Sequence, residues 1–157
     1  MRNLKIIVGL LAFTAILLSS CKKDEPNPQA DSEFQEMANL LNSDWHISSE
    51  NAVTLDDNTH DADWSNFSLS ISDASEEGGT YTVSGVPSGY FKVWSSSGNW
   101  VFEDENDPNL ILRSDGVSIT ILNIDVNQLS ISFEVENEVP IGLRGIGGSW
   151  NFDFTSN

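Results

Sequence analysis

The chain has 157 residues, with 24 acidic side chains, seven lysines and arginines, and a single cysteine. This length is enough for one domain with a sizeable core. The formal net charge of −17 repels the phosphates of nucleic acids and the anionic head groups of lipids, so we expect neither as a partner. A lone cysteine has no disulfide partner within the chain.

The N-terminus has the pattern of an export signal. Two basic residues precede an apolar run at positions 6–18, which is too short to cross about 30 Å of hydrocarbon as a helix. We therefore interpret residues 1–20 as a signal peptide. Leu18, two serines and Cys21 follow one another at its end and resemble the bacterial lipobox. This resemblance implies cleavage before Cys21 and attachment of a lipid to its sulfur.

A charged segment follows the cysteine. Lys22, Lys23, Asp24 and Glu25 resemble the export signal of Bacteroidota surface lipoproteins, which implies an outer-membrane lipoprotein displayed on the cell surface. The alternative is a solvated linker. The stretch 21–30 is polar and contains prolines, as is typical of a tether. The mature chain would keep five bases against 24 acids, a balance of 5 − 24 = −19.

The segment 31–157 is predicted to be one β domain that begins with a short helix. The helix is expected over residues 31–41, where Ser32 and Gln35 have the spacing of a capping box. Four apolar residues in this segment share one helical face at i, i+3, i+4 and i+7 spacing.

From Trp45 onward, apolar and polar residues alternate with a period of two, which indicates half-buried strands. The alternation predicts strands at 45–47, 67–72, 80–83, 91–94, 100–102, 110–113, 117–121, 129–136 and 150–154. Residues 95–99 are expected to form a hairpin turn, residues 104–109 another turn, and Asp115-Gly116 a two-residue hairpin turn.

These features predict an all-β fold with eight or nine antiparallel strands. No helical crossover follows the first helix, which excludes a parallel sheet. Closure of an up-and-down meander into a barrel would remove exposed edges, and a two-sheet sandwich is the alternative.

The order of these elements is similar to that of the lipocalin-like lipoproteins of Bacteroidota. The similarity is carried by the lipobox, the helix, Trp45 on the first strand, the stretches 64–69, 79–82 and 98–102, and the stretch 111–116. It implies a small barrel that could hold an apolar ligand, without catalytic machinery.

One acidic loop could bind a metal ion. Asp57, Asp61 and Asp63 lie in the densest acidic stretch, and oxygen ligands in such a pattern suit Ca²⁺. The spacing is not that of an EF-hand, and a solvated acidic loop is the alternative. We expect no other cofactor.

The five tryptophans fall into two groups. Trp45, Trp100 and Trp150 lie in alternating apolar patterns and are expected in the core, whereas Trp64 and Trp94 border polar loops and are expected to be partly exposed. Exposed rings of this kind could stack on a sugar. Arg113 could cover a core tryptophan or bind a ligand carboxylate.

The expected interior decides where a ligand could bind. The residues predicted to face inward are rich in Phe, Ile and Leu, which favours a filled barrel with binding at its rim, near Trp64 and Trp94. No residue pattern indicates an enzyme. We therefore expect a non-catalytic binding module for a small ligand or glycan; an accessory subunit of a surface protein complex is the alternative.

Overall fold

The structure is a computed structural model that describes residues 32–136 and 146–156. The predicted signal peptide, Cys21, the export signal Lys22 to Glu25 and the tether lie outside the described residues. The predictions for them therefore stay predictions.

Helix α1 spans Glu33–Leu41, which confirms the one predicted helix. It begins after Ser32, whose Oγ accepts a hydrogen bond from the backbone N–H of Gln35 at 3.1 Å. The Gln35 side chain donates to Asn39 Oδ1 and does not accept from the Ser32 backbone N–H, so only half of the predicted capping box forms. The apolar face of α1 is buried through Met37, Ala38 and Leu41. No helix within the described ranges is long and apolar enough to cross a membrane.

In the part of the chain that the structure describes, ten strands follow α1 in one antiparallel sheet. Their bounds are β1 Asp44–Ile47, β2 Val53–Leu55, β3 Asn58–Thr59, β4 Ser68–Ser75, β5 Gly78–Ser84, β6 Ser97–Asp104, β7 Asp107–Arg113, β8 Ser118–Ile124, β9 Gln128–Val135 and β10 Gly148–Ser156. From β4 to β10, each strand pairs with the next in sequence.

The sheet closes into a barrel because β1 pairs with both β4 and β10. Trp45 lies opposite Leu69 on one side and Ser156 on the other. Strand β1 and the seven strands β4 to β10 therefore form a closed barrel, and β2 and β3 add to it outside along β10. The predicted barrel is confirmed, and the sandwich alternative is excluded by this closure.

The barrel interior is filled with side chains, as predicted from the alternation. All eight residues expected to face inward are buried, namely Phe67, Leu69, Ile71, Leu129, Ile131, Phe133, Phe152 and Phe154. The void that remains inside has a volume of about 20 Å³. A void of this size accommodates about one water molecule, so this space among the described core residues has no room for a lipid or a sugar.

The two ends of the barrel differ. At one end, which we call the helix end, α1 packs against β4 and β7, and short turns join β4 to β5 and β6 to β7. At the other end, which we call the loop end, longer segments at 85–96 and 114–117 join β5 to β6 and β7 to β8.

The stretch 91–94 is not a strand, which corrects the prediction. It lies in a turn in which the Val93 N–H donates to the Tyr90 carbonyl at 2.9 Å, and β5 pairs instead with Ser97 and the residues after it. Val93 and Trp94 are consecutive and both buried, which a strand with one buried face cannot achieve. Gly89, with φ of 93°, allows the chain to turn here.

Two predicted turns differ in length from the prediction: the turn at Asp115-Gly116 is longer, and the turn at 104–109 is shorter. The Arg113 N–H bonds to the Val117 carbonyl, so three residues, 114–116, lie between this bonded pair instead of the predicted two, and Gly116 adopts φ of 89°. The predicted turn at 104–109 is confined to Glu105 and Asn106, since β7 already begins at Asp107.

Strands β2 and β3 form a hairpin that the sequence did not indicate. Leu55 pairs with Asn58, so the loop consists of Asp56 and Asp57 alone. Both have positive φ, 50° and 63°, as a type I′ turn requires. The Asp56 N–H donates to the Ser149 carbonyl at 2.8 Å, which ties the hairpin to β10 at the loop end.

Candidate functional site

Trp64 and Trp94 are buried, and the prediction that they are partly exposed is wrong. Their exposed fractions are 4% and 2%. The segments that carry them fold inward over the barrel mouth, where Trp64 packs edge-on against Phe152 at 5.1 Å between ring centroids. Trp94 packs in the same way against Phe133 at 5.5 Å. Neither ring can stack on a ligand at the surface. The other three tryptophans lie in the core, as predicted.

Arg113 is also buried, with an exposed fraction of 2%. Its guanidinium carbon lies 4.6 Å from the ring centroid of Trp94, so the expected cation–π contact with a core tryptophan is present. Its Nη1 donates to the Val93 carbonyl at 2.9 Å, and its Nε donates to Asp115 Oδ1 at 3.0 Å. Arg113 and Asp115 form an ion pair. The carboxylate that Arg113 binds therefore comes from the chain itself.

A polar network extends from this ion pair. Asp115 also accepts a hydrogen bond from Ser95 Oγ at 3.0 Å, and that hydroxyl lies 2.6 Å from the Tyr81 hydroxyl. Burial raises the pKa of Asp115, but the hydrogen bonds and charge of Arg113, with further hydrogen bonds from Ser95 and the Val117 backbone, lower it more. The net result is a lowered pKa, so the ionised carboxylate holds the β7–β8 loop to the barrel mouth.

An open groove lies beside this network at the loop end, with a volume of about 910 Å³. We call it the loop-end groove. On one side it is bounded by the exposed Phe91 and Lys92, and on the other by strands β8 and β9. Its lining includes hydroxyl and carboxylate groups of Ser118, Thr120, Ser132, Glu134 and Glu136.

The strands present these polar groups outward because the apolar residues between them face the core. Ile119 and Phe133 pair across β8 and β9 and are buried, whereas the neighbouring pair Thr120 and Ser132 lies on the outer face. The same alternation that fills the barrel therefore gives the groove a polar wall.

Phe91 is the exposed aromatic ring of this groove, with an exposed fraction of 69%. It sits just before Val93 and Trp94, which are 0% and 2% exposed and anchor the turn in the core. The turn is fixed further because the Val93 carbonyl accepts the hydrogen bond from Arg113. The buried neighbours thus hold the Phe91 ring in solvent, where a ligand can reach it.

A second cleft, of about 380 Å³, lies next to the β2–β3 hairpin, and we call it the hairpin cleft. Its lining includes Asn58, Thr59, His60 and Tyr90. The His60 ring is 5.0 Å from Tyr90 and 4.8 Å from Trp150, and its Nδ1 accepts the Ala62 N–H at 3.0 Å. Burial lowers the pKa of His60, against a smaller opposing effect of Asp61. The neutral ring is therefore favoured.

The predicted calcium ligands are not brought into a cluster. Within residues 32–136 and 146–156, no three His, Cys, Asp or Glu side chains are placed to hold a metal ion together. Asp57 occupies the hairpin turn, and Asp63 Oδ1 accepts hydrogen bonds from the N–H and hydroxyl of Ser65 at 3.0 and 2.6 Å. Those bonds lower the pKa of Asp63. Calcium binding by Asp57, Asp61 and Asp63 stays a prediction, and the structure adds no support to it.

Sequence reasoning missed Phe91, Tyr90 and His60 as site residues. The available signal was Pro87 and Gly89, which mark a turn immediately before Tyr90 and Phe91.

No protein-family model, curated protein or solved structure matches the chain. The relation to lipocalin-like lipoproteins therefore stays a prediction, whereas the closed barrel is a feature of the structure.

Proposed function

We propose that the protein is a lipid-anchored, non-catalytic binding module that takes a small polar ligand or glycan in the loop-end groove. One observation carries this proposal. The barrel interior leaves about 20 Å³ free, whereas the groove at the loop end offers about 910 Å³. A ligand of ordinary size therefore fits the outside of the barrel better than this interior void.

The lining of the groove suits a sugar. One face of a pyranose ring carries C–H groups that pack on an aromatic ring, and Phe91 offers such a ring at 69% exposure. The hydroxyl groups of a sugar need hydrogen-bond partners, which Thr120, Ser132 and Glu134 provide along the wall. Because carboxylates line the groove, a neutral ligand suits it better than an anionic one.

The first described residue of the chain lies away from the groove. The chain enters the described domain at Ser32, which lies at the helix end beside Glu76. The loop-end groove is at the opposite end of the barrel from Ser32. We propose attachment to the outer membrane through Cys21, with display on the cell surface directed by Lys22 to Glu25.

The proposal is tested by isothermal titration of the purified protein with soluble cello-, xylo-, malto- and chito-oligosaccharides. Phe91→Ala should weaken the binding of the preferred sugar about tenfold, which corresponds to about 1.4 kcal/mol. Val126→Ala is the matched control because Val126 is 71% exposed in the β8–β9 turn, at the helix end, and should leave the affinity unchanged.

Three results would contradict the proposal. The first is that none of these sugars binds, and the second is that Phe91→Ala binds as well as the wild type. The third is equal weakening by both variants, which would place the ligand elsewhere on the molecule.

A further inference from the structure

The loop-end groove and the hairpin cleft share one short ridge. Tyr90 lines the hairpin cleft and Phe91 lines the loop-end groove. The two residues are consecutive, so their Cα atoms lie about 3.8 Å apart. Two aromatic side chains thus diverge from one turn into two neighbouring depressions.

The ridge is held rigidly from below. The Tyr90 N–H donates to the Pro87 carbonyl at 3.1 Å, and the Tyr90 carbonyl accepts from Val93 at 2.9 Å. The ring of Tyr90 also packs edge-on against His60 at 5.0 Å and Trp64 at 5.6 Å. A ridge ordered before binding loses little conformational entropy when a ligand crosses it.

The hairpin cleft offers the same chemistry as the loop-end groove. Tyr90 and the half-buried His60 supply ring surface, and Asn58 and Thr59 supply an amide and a hydroxyl. Because His60 Nδ1 accepts the Ala62 N–H, the neutral ring carries its proton on Nε2. No described residue bonds to this Nε2–H, which can therefore donate to a ligand hydroxyl.

We infer that the ligand is an extended, neutral oligosaccharide that crosses the Tyr90–Phe91 ridge and occupies both depressions. This inference rests on the proposed function and narrows its ligand. Carboxylates flank the ridge on both sides, Glu134 in the loop-end groove and Asp61 in the hairpin cleft, and they disfavour an anionic chain. A single sugar unit would use only one of the two aromatic platforms.

The test is a length series within the sugar class that binds best, from monosaccharide to hexasaccharide, measured by isothermal titration. We expect the affinity to rise at least tenfold between the disaccharide and the hexasaccharide. Phe91→Ala should weaken every length that binds. Thr59→Trp places a bulky ring at an exposed position in the hairpin cleft and should weaken only the longer chains.

Tyr90→Ala is a second variant on the same cleft, and thermal melts show whether either variant still folds. Equal affinities across the series, with no selective loss in Thr59→Trp or Tyr90→Ala, would overturn the extended ligand but leave the groove as the site of a short one. Unchanged binding in Phe91→Ala would instead overturn the proposed function.

Discussion

Phe152 lies at the centre of the filled barrel, and its removal tests the packing most sharply. It is fully buried, with six aromatic rings within 6.0 Å of its ring centroid: Trp64, Phe67, Trp94, Phe133, Trp150 and Phe154. Phe152→Ala should lower the free energy of unfolding by about 4 kcal/mol, because burial is lost and a cavity remains. A domain of this kind has a total stability of about 5–15 kcal/mol, so the variant should still fold.

The measurement is urea denaturation followed by tryptophan fluorescence and circular dichroism, with an unchanged m-value as the sign of two-state unfolding. Phe91→Ala makes the same chemical change at a side chain that is 69% exposed, and it should cost less than about 0.5 kcal/mol. A loss below about 1 kcal/mol in Phe152→Ala, or an equal loss in both variants, would refute the packed interior.

Three further predictions concern other parts of the chain. Gly79→Ala should cost about 1–3 kcal/mol in thermal melts, since an added Cβ would lie 3.0 Å from Trp100 Nε1; a neutral effect would contradict this close packing. Asp115→Ala should cost about 2–3 kcal/mol at pH 7 because it leaves the Arg113 guanidinium buried without its partner. Because the pKa of Asp115 is lower in the folded state than its usual 3.8, the stability that its ionised carboxylate contributes should be fully present above pH 3.8. It should disappear as the pH falls through the folded-state pKa. A stability difference between the wild type and Asp115→Ala that does not change with pH would contradict this prediction. Cys21→Ser should abolish labelling by radioactive palmitate, and persistent labelling would exclude lipidation at this position.

The strands were predictable wherever one face of the sheet is buried. In 67–72, 129–136 and 150–154 every second residue is large and apolar, and a shift by one residue would expose the whole set to water. The pattern therefore fixes both the strand and the face that turns inward. The same pattern favoured closure into a barrel, because a meander of this length otherwise leaves exposed edges, but it left a two-sheet sandwich as the alternative.

The positions of the loop tryptophans were not predictable from local pattern. Trp64 and Trp94 have polar neighbours in sequence, but the mouth of the barrel needs large side chains to fill it, and the loops fold inward to supply them. Phe91, expected in a strand, is instead left exposed by the same turn. The candidate site thus depends on contacts between distant segments, which alternation along the chain does not encode.

The β2–β3 hairpin was missed because its turn lacks the usual residues. A type I′ turn favours Asn-Gly or Asp-Gly, whereas Asp56-Asp57 has no glycine and both residues adopt positive φ. The acidic stretch therefore indicated a cation site, although part of it forms a tight turn.

The most direct test of the filled barrel with an external site is titration of the purified wild-type protein with a hydrophobic fluorescent probe. A packed interior with a void of about 20 Å³ predicts little gain in emission at any probe concentration. Strong, saturable binding of the probe that a fatty acid displaces would show that the barrel is hollow and that the ligand site lies inside it.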